Sequence, residues 1–465
     1  MACCTWRVAI TFFLATLVAS HMIDEGGRQM GPVDGKDFLI DEGGRQMGPV
    51  DGKDFLVPDF IDTNPSVING QPVFEGDIIL TENQWAAVRA RKGLSDLTKR
   101  WSEGSDGYPV VPYRFTDDRL NKNVIKAGME HWMDHTCIKF QETTNTNQPH
   151  LMFLYESGCW SWMGMLSQNG QNVSIGENCD SLGTVAHEVG HAIGFNHEQC
   201  RPDRDEYVVI NWDNIPSPRQ YNFAKASASE FDNQNVPYDY SSNMQYGSTG
   251  FTSNGKTTIA TVDPLTQGLI GTGEVLSHRD KHLANIMYKC IDKWLAKCGQ
   301  SSDTCKNGGY FGVNCACVCP PGTAGTECEQ KTGGYYDSLL NSCTEKVTTQ
   351  GTLTSPNYPS NYPKGQCVKW IVAPECHVPK VTFTDFTLCE RHSYCNNNEC
   401  CYFDALEIRT TSMTNGDVYC DTDIVNGQSF TGTSREMILY FRAKSYYYRK
   451  GWSANVTFVK QDGCK

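Results

Sequence analysis

Three histidines and a glycine within residues 187–198 constrain the folding of this chain more than any other part of its sequence. His187 and His191 are four residues apart, so on a helix their side chains project from the same face. Gly194 can adopt a positive φ at low steric cost, which predicts that the helix ends there and the chain turns. That turn brings His197 towards the first two imidazoles. The stretch therefore predicts a helix, a glycine turn and three imidazoles that meet at one point.

Three neutral imidazoles at this spacing are a ligand set for zinc. They leave the fourth tetrahedral position open for water, which distinguishes a catalytic zinc site from a structural one. Glu188 is not needed as a ligand and lies beside His187, so it is available to take a proton from that water. The alternative is an ordinary amphipathic helix with surface histidines. The zinc site is favoured because the glycine turn and the third histidine are further independent conditions.

The signature resembles that of the metzincin peptidases, and its continuation over residues 198–205 is similar to the astacin family of metalloendopeptidases. The resemblance implies one zinc ion per catalytic domain. It implies that His187, His191 and His197 are the ligands, and that Glu188 is the general base.

Residues 242–246 resemble the Met-turn of the same family. The resemblance implies that Met244 packs beneath the zinc ligands and that Tyr246 lies near the metal, as a hydrogen-bond donor to the developing oxyanion. Taken alone, a methionine in a loop is more often plain packing. Gln245 stands where relatives usually have histidine. That residue is not a ligand in relatives, so we expect activity to survive the difference.

Length and charge favour a secreted protein of several domains. At 465 residues the chain is too long for one core and predicts about three domains. The formal net charge of −13 argues against a nucleic-acid partner, which needs a cationic surface. Residues 1–20 combine Arg7, an apolar run and small residues, as a signal peptide does. A membrane anchor is the alternative, but the run is too short and no later stretch reaches the ~20 apolar residues required.

Cysteine content agrees with secretion. The chain has 22 cysteines, and removal of the signal peptide takes away Cys3 and Cys4 and leaves twenty. Such a dense and even set is typical of disulfide-bonded proteins in an oxidising compartment. Asn172 and Asn455 each begin an acceptor sequence for N-glycosylation, which is a modest further indication of secretion.

Residues 21–91 are predicted to be a propeptide. Within it, residues 23–39 are repeated as residues 40–56, and both copies are too poor in apolar groups to form a core. Residues 74–77 resemble the inhibitory motif of the family. The resemblance implies that Asp77 binds zinc in place of the catalytic water in the zymogen, and a surface turn is the alternative interpretation.

The resemblance also places the mature N-terminus. Cleavage after Arg91 fits better than cleavage at Lys99-Arg100, because it leaves enough chain for the new amine on Lys92 to fold inward. By likeness to the family, that amine is expected to approach Glu198.

The predicted fold class is α+β, with an astacin-like catalytic domain over residues 92–292 that contains an active-site helix and a mixed sheet. Asp117 and Asp118 are a plausible start for an earlier helix. Its predicted core positions are Leu120, Val124, Ala127 and Trp132. Residues 152–155 read as a strand, and the resemblance implies that it is the edge strand along which an extended substrate pairs.

Two further modules follow. Residues 293–330 resemble an EGF-like module, for which a zinc cluster is the less favoured alternative, and residues 343–464 resemble a CUB domain, an all-β sandwich. The resemblances imply seven disulfides: Cys137–Cys290, Cys159–Cys179, Cys298–Cys315, Cys305–Cys317, Cys319–Cys328, Cys343–Cys367 and Cys401–Cys420. Residues 441–444 place a cation where calcium-binding CUB domains carry an acidic residue, which argues against calcium despite Asp404.

Cys200 is left without a partner by the resemblance. The CUB segment has five additional cysteines, an odd number: Cys376, Cys389, Cys395, Cys400 and Cys464. Parity therefore predicts a disulfide between Cys200 and one of them. A catalytic thiolate is the less favoured alternative, because the zinc mechanism already explains the site.

The sequence as a whole predicts a secreted, extracellular zinc-dependent endopeptidase, made as a zymogen, that hydrolyses protein substrates with metal-activated water. The domain order looks like that of the nematode astacins. The alternative is a catalytically inactive adhesion or matrix-binding protein that acts through its EGF-like and CUB modules. The predicted partners are protein substrates, with extracellular matrix, cuticle and host tissue left open, and neither nucleic acid nor a membrane anchor is expected.

Overall fold

The computed structural model of the chain describes residues 67–68, 70–82, 84–85, 100–166, 169–226, 233–273, 275–395, 398–401, 403–444, 449–461 and 463. All of them lie in one unit, Phe55–Lys465. The predicted signal peptide, the repeat and the cleavage site after Arg91 lie outside the described residues. Among the described helices, none has both the length and the apolar character that a membrane span requires.

An eight-stranded mixed sheet forms one layer of the first domain. Its strands are β1 (Val67–Ile68), β2 (Gln71–Phe74), β3 (Ile78–Ile79), β4 (Val110–Phe115), β5 (Lys139–Glu142), β6 (Leu151–Leu154), β7 (Cys159–Trp162) and β8 (Gln171–Ile175). They lie in the order β1-β2-β3-β7-β8-β6-β4-β5. The pairs β3–β7, β8–β6, β6–β4 and β4–β5 are parallel, and the other three are antiparallel.

Helices pack on this sheet and line the site. The α-helices are α1 (Lys122–Met133), α2 (Leu182–Ala192), α3 (His278–Met287) and α4 (Cys290–Lys297). Short 3-10 helices span Glu198–Cys200, Arg204–Glu206, Trp212–Asn214, Ser217–Phe223 and Pro264–Gly268. Helices α1 and α2 approach closely because Gly128 has no side chain: a Cβ there would lie 2.4 Å from Val185 Cγ1. Helices with a mixed sheet, followed by an all-β tail, confirm the predicted α+β class.

The predicted start of helix α1 is wrong. Asp117 binds Arg119 through its side chain and accepts the Arg119 amide at 2.9 Å, so it forms a turn instead of capping a helix. The cap is Asn121, whose side chain accepts the Val124 amide. Leu120 and Trp132 are buried as predicted, but the buried face of the helix differs from the predicted one. It consists of Ile125, Gly128, Met129 and Trp132, while Val124 and Ala127 are only half-buried.

The predicted edge strand is also placed wrongly. Residues 152–154 do form a strand, β6, but it lies inside the sheet between β4 and β8. The edge of the catalytic domain is β7, because β1, β2 and β3 all come from residues 67–85, here called the N-terminal segment. Strand β3 pairs with β7 in parallel, with Ile78 opposite Ser161 and Ile79 opposite Trp162. The N-terminal segment therefore covers the edge along which an extended peptide could pair.

Three small two-stranded sheets follow the main one. The first pairs β9 (Val208–Ile210) with β10 (Ile259–Thr261), the second β11 (Tyr310–Phe311) with β12 (Cys317–Val318), and the third β13 (Thr323–Ala324) with β14 (Gln330–Lys331). The last two belong to residues 293–330, where all three predicted disulfides are present. Tyr310 stacks on His282 of helix α3, with ring centroids 4.9 Å apart, and this region shares the core of the first domain.

The C-terminal region is a two-sheet sandwich, as predicted. One sheet has the order β15-β17-β24-β21-β22 and the other β16-β25-β18-β23. The strands are β15 (Glu345–Val347), β16 (Gly351–Thr354), β17 (Gly365–Val372), β18 (His377–Thr387), β19 (His392–Cys395), β20 (Asn398–Cys400), β21 (Asp404–Arg409), β22 (Asp417–Tyr419), β23 (Ser429–Thr431), β24 (Glu436–Ala443) and β25 (Gly451–Lys460). Strands β19 and β20 pair apart from both sheets.

Disulfides tie each region together. All seven predicted pairs are present. Cys376 and Cys400 are also disulfide-bonded.

The linker between the two tail modules, residues 331–342, packs on the first domain. Arg279 lies over the ring of Tyr335 at 3.8 Å and donates to the hydroxyl of Tyr336 at 2.9 Å. Tyr336 and Leu340 pack against a buried cluster of the first domain. The linker is therefore held against the first domain.

Candidate active site

Helix α2 presents His187 and His191 on one face, as the sequence predicts. Ser181 caps the start of the helix, because its hydroxyl accepts the Thr184 amide at 3.1 Å. The helix ends just before Gly194, whose φ of 103° is readily accessible only to glycine. The glycine turn of the signature is thereby confirmed.

The three imidazoles meet at their Nε2 atoms. His191 Nε2 and His197 Nε2 lie 3.1 Å and 3.3 Å from His187 Nε2. Each Nδ1 atom faces an oxygen that can only accept a hydrogen bond. These oxygens are Asn243 O for His187, Phe195 O for His191 and Glu75 Oε2 for His197, at 2.8, 2.7 and 2.8 Å. Each Nδ1 therefore carries the proton, and each Nε2 presents its lone pair.

This arrangement fits a zinc ion. Three lone pairs that face one another repel unless a cation lies between them, and imidazole is a preferred zinc ligand. Asp77 Oδ2 lies 3.2 Å from His187 Nε2 and 3.3 Å from His197 Nε2. Asp77 Oδ1 is buried and has no hydrogen-bond partner among the described residues. Ligand atoms of these four side chains all lie within 4.8 Å of one another, as one ion requires.

Asp77 reaches the site from the turn between β2 and β3. Glu75 and Gly76 have positive φ values of 47° and 84°, which reverse the chain. Ser161 N donates to Asp77 O at 2.8 Å, so the turn is bound to the edge strand β7. A Cβ at Gly76 would lie 2.7 Å from the ring of Phe251, so a side chain there would displace that ring. The N-terminal segment is thus fitted closely into the site.

Glu75 is a site residue that the sequence interpretation missed. It is only 4% exposed, and its carboxylate accepts the Nδ1 proton of His197. Its carbonyl oxygen accepts a short hydrogen bond from the hydroxyl of Tyr246. The available signal was its position two residues before Asp77, since a segment that reaches a buried metal site must bury its neighbours as well.

Residues of the predicted Met-turn pack against helix α2 and His197. Met244 packs beneath helix α2, because a Cβ at Gly190 would lie 3.0 Å from its Sδ. The ring of Tyr246 stands against His197, with centroids 4.5 Å apart. Burial raises the pKa of the Tyr246 phenol, so the phenol remains a hydrogen-bond donor. Gln245 is buried and donates to the carbonyl of Tyr246.

Glu188 lies between the two helical histidines and is 1% exposed. Its Oε2 has no hydrogen-bond partner within the part of the chain that the structure describes. Burial, and secondly the charge of Asp77, raise the pKa of Glu188 well above its usual value. A buried carboxyl group with a free oxygen beside the metal ligands can accept a proton and return it.

Glu198, the expected partner of the new amine on Lys92, is buried and already bound in this form. Its Oε1 accepts Arg201 Nη1 at 3.1 Å and the Asp239 amide at 2.7 Å. Burial raises the pKa of Glu198 to about 8. Lys92 lies outside the described residues, so its approach stays a prediction.

The predicted disulfide of Cys200 is wrong. Cys200 forms no disulfide within the described part of the chain and is 1% exposed. Its thiol points into the first domain, 3.6 Å from the carbonyl of Asn222, which removes it from the reach of another domain. Burial raises the pKa of the thiol, which also disfavours the thiolate alternative.

Two family models match the chain: the Astacin peptidase family over residues 93–289, and the CUB domain over residues 343–456. Protein SpAN of Strongylocentrotus purpuratus is 34% identical over 409 residues, which cover 83% of this chain and 63% of that protein. The chain thus spans less than two thirds of this relative's length.

Two further proteins are similar. Zinc metalloproteinase dpy-31 of Caenorhabditis elegans is 33% identical over 417 residues, which cover 84% of this chain and 67% of that protein. Among solved structures, high choriolytic enzyme 1 of Oryzias latipes, a hatching enzyme zinc-protease, is 35% identical. That match covers 41% of this chain and 94% of the other, with a TM-score of 0.38.

Proposed function

This chain belongs to the astacin family of zinc metalloproteinases, and from that premise we propose that it is a secreted endopeptidase made in a latent form. The observation that carries the proposal is the convergence of three imidazole Nε2 atoms beside the buried carboxyl group of Glu188, whose Oε2 has no hydrogen-bond partner among the described residues. Metal-assisted peptide hydrolysis needs a metal site and, beside it, a group that can accept and return a proton.

In the proposed mechanism His187, His191 and His197 hold the zinc. When bound, the metal supplies Lewis acidity, which makes water a competent nucleophile near neutral pH. Glu188 takes the proton of the attacking water and delivers it to the leaving amine. Tyr246 donates its phenolic hydrogen to the oxygen on which negative charge develops.

Substrate binding is assigned to the edge strand β7. Its outer hydrogen-bonding edge pairs with β3 in the present form, in which Ser161 N donates to Asp77 O and Met163 N donates to Ile79 O at 3.4 Å. Once the N-terminal segment leaves, the same groups become available to the backbone of an extended peptide.

Latency is assigned to the N-terminal segment. Asp77 is proposed to act as a further ligand to a bound zinc, and the carbonyl of Glu75 accepts the hydrogen bond of the Tyr246 hydroxyl. The segment therefore blocks the metal, the oxyanion donor and the substrate edge together. Cleavage after Arg91 is proposed to release it and to place the amine of Lys92 near Glu198.

Location and substrates follow from the same proposal. The seven predicted disulfides, all present in the described residues, suit an oxidising, extracellular compartment. Asp77 is proposed to bind the zinc only in the zymogen. The EGF-like and CUB modules are proposed to localise the enzyme or to select its substrates. Proteins of extracellular matrix, cuticle or host tissue are the proposed substrates, and proteomic cleavage-site profiling of the activated enzyme would identify their class.

The test is the Glu188→Ala variant of the activated enzyme. It is expected to retain one equivalent of zinc while hydrolysis of a general protein substrate falls by about 10²-fold or more, since only the base is lost. Glu130→Ala, which removes an exposed glutamate of helix α1, is the control and should leave both measurements unchanged. Wild-type turnover in Glu188→Ala would refute the role of Glu188. Absence of both zinc and turnover in the parent protein would favour the adhesion alternative.

A further inference from the structure

The sandwich domain carries four large polar side chains on the outer face of its first sheet. Strands alternate their faces, so Leu406 and Ile408 of β21 enter the core of the sandwich, while Glu407 and Arg409 point out of it. On β24 the same alternation directs Tyr440 and Arg442 outward, and Tyr440 lies opposite Glu407. In an isolated sandwich these side chains would meet water. Here all four are 0% exposed.

The first domain is what covers them. Thr257 makes a short hydrogen bond to Glu407 Oε2. Arg409 Nη2 donates to Gln267 Oε1 at 3.2 Å, and Arg442 Nη2 donates to the carbonyl of Gly255 at 2.9 Å. Glu407 and Arg409 also form an ion pair at 2.7 Å, so neither charge is buried alone. A buried charge without such partners would cost several kcal/mol. These contacts indicate a built interface between the two domains.

The first-domain side of this interface includes residues 247–258, here called the 247–258 loop. It begins immediately after Tyr246, the proposed oxyanion donor. The hydroxyls of Tyr440 and Ser248 are hydrogen-bonded at 2.9 Å, and Lys444 Nζ donates to Thr249 Oγ1 at 2.8 Å. The sandwich domain therefore contacts the loop two and three residues beyond the tyrosine.

The opposite side of the same loop lines the site. The ring of Phe251 lies against Gly76 of the N-terminal segment, and it is 5.6 Å from the ring of Tyr246. Thr258 N donates to Ser248 O at 2.8 Å, so the loop closes on itself between these contacts. One short loop thus has the site on one side and the sandwich domain on the other.

We propose that the CUB domain is a fixed part of the protease, and that Tyr440 and Lys444 are positioning residues that hold Tyr246 in place through the 247–258 loop. Neither residue touches the reacting atoms. They act because removal of their hydrogen bonds takes these partners from the hydroxyls of Ser248 and Thr249 in a buried interface, which allows the loop to shift. The catalytic part of this inference rests on the proposed function of Tyr246, while the docking does not.

The proposal also explains why two cations occur at and just after the end of β24. Arg442 and Lys444 stand in the stretch where a calcium-binding CUB domain would carry an acidic residue. Both cations donate to the first domain. The oxygens of Asp404 accept the Tyr362 hydroxyl and the Lys444 amide, both at 2.8 Å. This corner of the sandwich therefore serves the contact between domains.

The experiment uses the full chain and compares Tyr440→Phe with Tyr358→Phe. Each variant removes one hydroxyl from the CUB domain. That of Tyr440 bonds Ser248 across the interface and also Gln366 within the domain, whereas that of Tyr358 donates to Asp385 within the domain. The first readout is backbone hydrogen exchange over the 247–258 loop, which does not depend on activity. The second is kcat and KM of the activated enzyme on a short peptide.

Tyr440→Phe is expected to speed exchange in the 247–258 loop and to lower kcat by about three- to ten-fold, with KM unchanged. Tyr358→Phe should change neither. Unchanged exchange in Tyr440→Phe would overturn the docking, and faster exchange with unchanged kcat would overturn the positioning role. An equal effect of Tyr358→Phe would also overturn the positioning role, because it would show that loss of either hydroxyl loosens the domain in general. An inactive parent enzyme would refute the proposed function and leave the exchange comparison valid.

Discussion

Two carboxylates of the N-terminal segment enter the site, and they act on different atoms. Asp77 approaches the Nε2 atoms, where a metal is held, whereas Glu75 accepts the Nδ1 proton of His197. The other two histidines donate Nδ1 to carbonyl oxygens of the first domain itself. Outer partners of this kind fix the orientation of a ligand and influence metal affinity. His197 therefore depends on the N-terminal segment in a way that His187 and His191 do not.

Replacing Asp77 by Ala in the uncleaved chain is expected to produce premature activity. Without that carboxylate, water would have access to a zinc held by the three histidines while the N-terminal segment is still attached. The measurement is hydrolysis of a short peptide by uncleaved wild type and variant, with intact mass confirming that neither has been processed. If both proteins were equally latent, cover of the cleft by the segment, and not the Asp77 carboxylate, would be responsible for silencing.

Among the helices and turns, the end of α2 determines whether the third ligand reaches the site. The sequence predicted this well, because a glycine three residues after His191 is a strong signal for a helix end. The start of α1 was predicted poorly, since Asp117 and Asn121 are both good caps and only the contact of Asp117 with Arg119 decides between them. The edge position of β7 could not be predicted either. Sequence patterns identify strands, but the order of strands depends on long-range pairing.

Replacing Gly194 by Ala is expected to destabilise the protein and to reduce its zinc content. A φ of 103° costs about 1 kcal/mol or more for a residue with a Cβ, and relief of that strain moves His197. Gly427→Ala is the matched control, with a φ of 85° in the CUB domain and open space around it. Both variants should melt at a lower temperature, but only Gly194→Ala should lose zinc. Full zinc content in Gly194→Ala would contradict the assigned role of the turn.

In the assembled molecule, the tail modules are attached through many contacts that the sequence did not reveal. The pattern of β21 predicts an outward polar face, which normally means solvent. In the structure Glu407 and Arg409 of that face are buried by residues about 150 positions earlier in the chain. Local patterns specify which face is polar, but they carry no information about the surface that covers it. The seven disulfides, by contrast, were predictable from the resemblance because they close loops within single domains.

Replacing Arg279 by Ala is expected to loosen the linker between the tail modules. The guanidinium covers the ring of Tyr335, and such a contact is worth about 1 kcal/mol, or roughly five-fold in local opening. The measurement is hydrogen exchange of the amides of residues 337–340. Arg119→Ala removes a similar contact, with Tyr155 at 4.5 Å, and serves as control. Equal exchange in wild type and Arg279→Ala would show that the linker is held by other contacts.

The pairing of β3 with β7 has a consequence for aggregation of the full chain at high concentration. An unpaired sheet edge offers a row of free amides and carbonyls to any passing chain, and it is a common starting point for aggregation. The N-terminal segment replaces the edge of β7 with that of β1, which is only two residues long. On that side of the described sheet the full chain therefore exposes very little edge. Removal of the N-terminal segment, as in the proposed activation, would uncover a longer edge that is free to pair, so we expect the cleaved protein to be the more aggregation-prone of the two forms.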